Sequence, residues 1–169
     1  MTHLRPLLVT CAWLLGVMPV LIRCGSPAAN EGPPTLSATQ RAQAGQAAVG
    51  FVNDHVNGLA TRTDQRAMDA WIAAHPLLTE DFKRAYHDLV AKARAEDPEL
   101  GLDHDPVLNA QDHPNGGFAV AAVEAGGLVT LRGVEWPDFR VQLHMVERDG
   151  RWLVDGCGAV NKAAPHVHR

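Results

Sequence analysis

The sequence is poor in the residues that most often carry covalent chemistry. It holds two serines, Ser26 and Ser37, three cysteines, a single tyrosine and only 5% aromatic residues. The serines fall in or beside a Pro- and Ala-rich stretch near the N-terminus and Cys157 falls on a predicted strand, so no serine or cysteine is set up as a nucleophile. No His-Glu-x-x-His, Cys-x-x-Cys, phosphate-cradling glycine loop or nucleophile elbow occurs, which removes the enzyme classes that depend on those motifs. Internal repeats, coiled-coil heptads and long low-complexity tracts are absent too. A basic surplus is also missing: 15 Lys and Arg stand against 19 Asp and Glu, a net charge of −4 that disfavours nucleic acid as a partner. What remains is 169 residues, 46% of them hydrophobic, enough for one domain with one core.

The hydrophobic residues are unevenly spread. Residues 7–22 form an uncharged, mostly apolar run preceded by His3 and Arg5 and followed by the small residues Ser26-Pro27-Ala28. The run is shorter than the roughly 20 residues that span a bilayer, and Pro19 disturbs its end, so it reads as a secretion signal cleaved after Ala28. Leu21-Ile22-Arg23-Cys24 offers a competing end, a lipobox-like string with Cys24 as the lipidation candidate, but Arg23 stands where a small residue is wanted. A retained membrane anchor is the third route. The expected address is the periplasm or cell envelope, with membrane contact only through the leader or a lipid. Cleavage removes Arg5 and Arg23 and no acid, leaving 13 bases and 19 acids, net −6, with Cys157 as the one remaining cysteine and therefore no internal disulfide.

A flexible tether over residues 29–38 leads to a domain at 39–162, and a frayed tail is expected at 163–169. Within the domain, Ala48, Phe51, Val52, His55, Val56 and Leu59 follow helical spacing after a cap at Ser37 or Thr39. A second helix starts at Asp64, carries Met68, Trp71 and Ile72 as its stripe and stops at His75-Pro76. The third is capped by Thr79, has Glu80 and Asp81 at its positive end, and presents Phe82, Ala85, Tyr86, Leu89, Val90 and Ala93 before Asp97-Pro98.

After a polar stretch to Gly117 the pattern turns to strands. Ala125-Gly126-Gly127-Leu128 reads as a turn between strands at 118–124 and 128–134, and Asp149-Gly150 as a type I′ hairpin turn. Pairing Arg148 with Arg151 places Phe139, Val141, Leu143 and Met145 with Trp152 and Val154 on a core face. The opposite face takes Arg140, Gln142, His144, Val146, Leu153, Asp155 and Cys157, with His144 directly across from Asp155. Helices followed by an antiparallel sheet of about four strands define an α+β fold in which the sheet wraps the helices and can enclose a pocket.

The string Leu102-Asp103-His104-Asp105-Pro106 through Gln111-Asp112 resembles the hallmark of the DUF3828 family, uncharacterised bacterial envelope proteins and lipoproteins with a Leu-Asp-x-Asp-Pro…Gln-Asp stretch between helices and sheet. The resemblance extends to the leader, to the amphipathic first helix, to Leu78-Thr79-Glu80-Asp81-Phe82 and to Asp149-Gly150-Arg151-Trp152, and it covers roughly residues 45 to 160. It implies an NTF2-like (cystatin-like) cone with a pocket between sheet and helices. It implies no set activity, because that superfamily includes isomerases, dehydratases, cyclases and non-enzymatic binding domains.

Candidate site residues follow from the same stretch. Asp103, Asp105 and Asp112 with Asn109 and Gln111 gather oxygen atoms in one loop, suited to a ligand, a partner or a structural role in turns and caps. The spacing is not that of a calcium loop, and His104, His113, His166 and His168 lie in exposed-looking segments, so neither a metal nor a cofactor is expected. Trp136 stands between strands, as a loop anchor or a pocket gate. His144 and Asp155 form the one polar pair that a dehydratase could use, on the face away from the core. Steroid-isomerase chemistry needs Tyr or protonated Asp donors facing an apolar pocket, and the only tyrosine, Tyr86, lies on a helical stripe. The expected function is thus an exported, non-catalytic envelope domain that binds a protein partner or a small ligand. An isomerase- or dehydratase-type enzyme and a periplasmic immunity or inhibitor protein are the alternatives. A homodimer is compatible with each of them.

Overall fold

Three helices precede a four-stranded antiparallel sheet in the computed structural model, which describes residues 35–162. The leader with Cys11 and Cys24, the cleavage site, most of the tether, and the tail with His166 and His168 lie outside the described residues. Helix α1 (Ala38–Leu59) opens on Ser37, whose side chain accepts the Gln40 N–H while the Gln40 side chain accepts the Ser37 N–H. This reciprocal pair satisfies two of the backbone donors that a helix start leaves free. Its buried positions, Ala44, Gly45, Ala48, Phe51, Val52, His55 and Val56, recur every three or four residues, so one face lies on the sheet. A Cβ at Gly45 would stand 3.0 Å from the Val120 side chain, and glycine therefore sets how closely α1 approaches the first strand.

Helix α2 (Gln65–Ala74) is capped by Asp64, which accepts the Ala67 N–H at 2.7 Å, and it ends at His75 where Pro76 cannot continue it. Helix α3 (Glu80–Glu96) is capped by Thr79. The same hydroxyl donates to Asp155 at 2.8 Å, so the start of α3 is fastened to the sheet. The caps at Asp64 and Thr79 stand where the sequence places them, and of the two candidates for α1 the structure selects Ser37 over Thr39.

The strands β1 (Phe118–Val123), β2 (Leu128–Gly133), β3 (Arg140–Arg148) and β4 (Arg151–Cys157) pair in chain order, each antiparallel to the next. Asp149 and Gly150 adopt φ of 53° and 74°, the conformation a type I′ turn requires. The outer edge of β4 is covered: Val154 exchanges backbone bonds with Leu77 and Thr79, and the Ala159 N–H binds Pro106 O. At the other edge, the Asn53 amide pairs with both backbone groups of Phe118 and closes the start of β1 from α1. Capping exposed strand groups in this way limits unwanted pairing.

A hydrophobic core fills the interface between helices and sheet. Phe51, Ile72, Phe82, Leu131, Leu143, Met145 and Val154 are buried to 1% exposure or less. Each such side chain contributes about 1.5–3 kcal/mol relative to leaving it in water.

One expectation about the sheet is corrected. The register from Arg148↔Arg151 holds through Met145↔Val154, but the next pair is His144↔Gly156. Asp155 is an extra residue, a β-bulge, so every later residue of β4 changes face. Cys157 therefore lies on the core side, 2% exposed, and not on the polar face.

Candidate functional site

Asp105 is the centre of the loop between α3 and β1. Its Oδ1 accepts the backbone N–H groups of Val107 and Leu108 at 2.8 and 2.9 Å, the local turn that aspartate favours. Paired backbone bonds between Asp105 and Ala110 close the loop, with Asn109 at its tip at φ 54°, a conformation that asparagine tolerates. Oδ2 meets His55 Nε2 at 2.6 Å. The loop is also joined to β4, because the Cys157 thiol donates to Val107 O at 3.2 Å. Burial opposes ionisation of Asp105, but the His55 hydrogen bond and charge and the two backbone donors together hold its carboxyl below the usual range.

His55 reaches Asp105 from the buried face of α1, between Phe51 and Trp71. The Trp71 indole also carries the Arg62 guanidinium over its ring, 4.1 Å from the centroid. Arg62 also donates to the carbonyls of Asp54 and His55 near the end of α1, the role a cation plays at a helix C-terminus. Because a carboxylate only accepts, His55 Nε2 carries the proton and donates it to Asp105. Nδ1 is buried and without a hydrogen-bond partner among the described residues. An imidazole oriented by a carboxylate is the general-base arrangement, yet a base must come within about 3 Å of its substrate. His55 is 1% exposed, and neither it nor Asp105 lines any of the four clefts described below.

The second Asp–His pair survives the bulge. His144 Nδ1 stands 3.5 Å from Asp155 Oδ2, although Gly156, not Asp155, is its partner across the strands. Asp155 is otherwise engaged with the Thr79 hydroxyl, and its carbonyl accepts from Asn161 at 2.6 Å. Tyr86 is buried with its hydroxyl accepting from Gln65 at 2.9 Å, and burial pushes its pKa up to about 12.

The clefts among the described residues include four near these groups. One of about 360 Å³, the most enclosed of them, lies on the sheet face turned away from the helices. Leu128 and Phe139 supply apolar surface there, Arg140, Gln142, His144, Asn109 and Lys162 supply its polar groups, and the core residues Leu108, Val141 and Cys157, 2–4% exposed, only border it. The others are more open. One of about 230 Å³ lies between Arg62, Tyr86 and His104, one of about 380 Å³ between Asp54, Trp71 and His75, and one of about 300 Å³ between Thr79, Arg148 and Asp155.

The loop acids proposed from sequence do not converge. Asp105 turns inward, whereas Asp103 is exposed against His104 at 2.6 Å, a hydrogen bond that holds its carboxyl below the usual range. Gln111 donates to Asp103 O, and Asp112 is exposed. No group of three or more His, Cys, Asp or Glu positioned to hold a metal ion is found among the described residues. Trp136 is 47% exposed and leans on Phe139 with ring centroids 5.2 Å apart. The structure does bring Asn109 and His144 to the lining of the same 360 Å³ cleft. Sequence reasoning missed His55 and Arg140. His55 has a legible signal, a histidine within an apolar stripe that needs a buried partner; Arg140 has none beyond its outward place on β3. Comparison with protein-family models, with curated proteins and with solved structures returns no match.

Proposed function

We propose that this chain is an exported bacterial envelope domain of the NTF2-like type, akin to the DUF3828 family, which binds a small molecule without transforming it. The observation that carries this reading is the 360 Å³ cleft, with apolar surface at Leu128 and Phe139 and a few convergent polar groups, the make-up of small-molecule sites of about 300–1,000 Å³. Two further features favour binding over isomerase or dehydratase chemistry. The best-oriented base, His55, is sealed in the core, and Asp155 is engaged with structural partners. The leader supports export, and the Leu102-Asp103-His104-Asp105-Pro106 through Gln111-Asp112 string carries the family resemblance.

Native mass spectrometry of the protein purified from an envelope fraction tests the reading. A retained organic mass that is lost on denaturation, on a chain shortened at Ala28 or lipidated at Cys24, is expected. A full-length chain overturns processing, and turnover of a retained molecule overturns the non-catalytic role. A protein partner is the second reading, favoured by Val134 and Trp136, which are 52% and 47% exposed on the turn between β2 and β3. Substitution of both by serine separates the two: a partner captured by the parent protein and lost by this variant supports it.

A further inference from the structure

The cleft on the outer face of the sheet is lined by basic and neutral groups alone. Arg140, His144 and Lys162 contribute to it and no Asp or Glu does, in a chain with an excess of acids. On the same face, Arg132 of β2 stands directly opposite Arg140 of β3. Like charges in that relation repel, and neither arginine forms a salt bridge to a carboxylate among the described residues. Arg140 gives one N–H to Pro137 O and keeps its remaining donors. His144 directs Nδ1 toward Asp155, which leaves Nε2 without a protein partner among the described residues. Beside these cations Leu128 and Phe139 offer only hydrocarbon.

From this arrangement we infer that the cleft takes a small amphipathic anion, a carboxylate with an apolar tail. The inference rests on the small-molecule reading above and names its ligand class. The planar guanidinium of Arg140 binds the carboxylate through paired hydrogen bonds, a geometry that lysine does not reproduce. The tail covers Leu128 and Phe139, and the bulge at Asp155 shapes the site by turning Gly156 beneath it. A glycine at 156 is required there, because a Cβ would stand 2.4 Å from the Asn161 carbonyl oxygen that folds against it.

Titration of the purified protein with octanoate and with octan-1-ol, followed by two-dimensional amide NMR, tests the charge and the place together. Octanoate is expected to shift Leu128, Gln142 and Gly156 in a saturable way and to bind at least tenfold more tightly than the alcohol. Arg140→Gln should bring octanoate down to the affinity of the alcohol. Gln142→Glu, an exposed change on the same strand, should do the same and guards against a folding defect in the first variant. Equal binding of the two probes at these residues, or tighter binding of octylammonium, overturns the anionic class while leaving a small-molecule site in place. Shifts that survive both substitutions overturn the location. No shift with any probe, together with no retained mass in the native spectrum, overturns the small-molecule reading itself.

Discussion

Asp105 commits both carboxylate oxygens to contacts within the fold, one to the turn at Val107 and Leu108 and one to His55. Truncation to alanine leaves two backbone donors and a buried imidazole without their partner, and losses of this kind cost about 2–4 kcal/mol. Asp105→Ala is expected to lower stability by that amount in urea unfolding, whereas Asp112→Ala, at an exposed position, changes it by less than about 0.5 kcal/mol. The pH dependence has a definite sign. A carboxyl held below its ordinary value of about 3.9 contributes stability that is full above that value and is lost as pH falls through the lower folded-state pKa. Asp105→Asn should flatten the fall in melting temperature below pH 4. His75 acts in a higher window. Burial lowers its pKa, the Asp54 carboxylate 3.4 Å away opposes that, and Arg62 and Lys83 add to it. The unfolded chain therefore takes up the proton first, and stability declines as pH drops from about 6.5 toward the folded value. His75→Gln should remove that part of the decline between pH 7 and 5; an unchanged slope in the variant would refute the assignment.

At the scale of elements, what could be read in advance is what is encoded locally. Ser37, Asp64 and Thr79 each carry a side chain able to bind the backbone three residues on, and Asp97-Pro98 and His75-Pro76 each stop a helix, so no tertiary knowledge is needed to place them. The hairpin at Asp149-Gly150 is equally local. The bulge at Asp155 is not, since no residue there demands it: it is fixed by Asn161, whose amide holds the Asp155 carbonyl, and by the Pro106 and Val107 carbonyls packed against Gly158. Two glycines in the β1–β2 turn allow strain and crowding to be told apart. Gly126 and Gly127 have φ of 78° and 83°, so alanine at either costs about 1–2 kcal/mol from the left-handed backbone alone. A Cβ at Gly126 meets nothing within 4 Å, but one at Gly127 would stand 2.2 Å from Met145 O. Gly127→Ala is expected to destabilise by clearly more than Gly126→Ala in equilibrium unfolding, and equal losses would mean that the turn moves away from β3 freely.

One polar loop ties helix α1 to strand β4 through Asp105 and Val107, beside the shared core, and its part in the fold is why the candidate site was only partly legible. Three aspartates in residues 103–112 look equivalent in sequence; tertiary placement alone selects Asp105 for His55 and leaves Asn109 on the wall of the outer cleft. Cys157 reports on this junction. Its thiol is buried, burial pushes its pKa up, and it is hydrogen-bonded to Val107, so alkylation requires the loop to leave β4. Val107 and Leu108 are members of the core, 0% and 4% exposed, and lifting them uncovers Cys157 and the chain around it. The loop and the core therefore open as one cooperative unit, not as a loop that frays by itself. Labelling of Cys157 with iodoacetamide, located by peptide mass, should accelerate with urea along the slope of global unfolding. Asp105→Ala should raise its rate by the factor that corresponds to the stability lost, roughly 30-fold for about 2 kcal/mol. A labelling rate indifferent to urea would instead mean that residues 105–110 detach locally. In that case the wall of the outer cleft opens without unfolding of the domain, and the site admits its ligand by that movement.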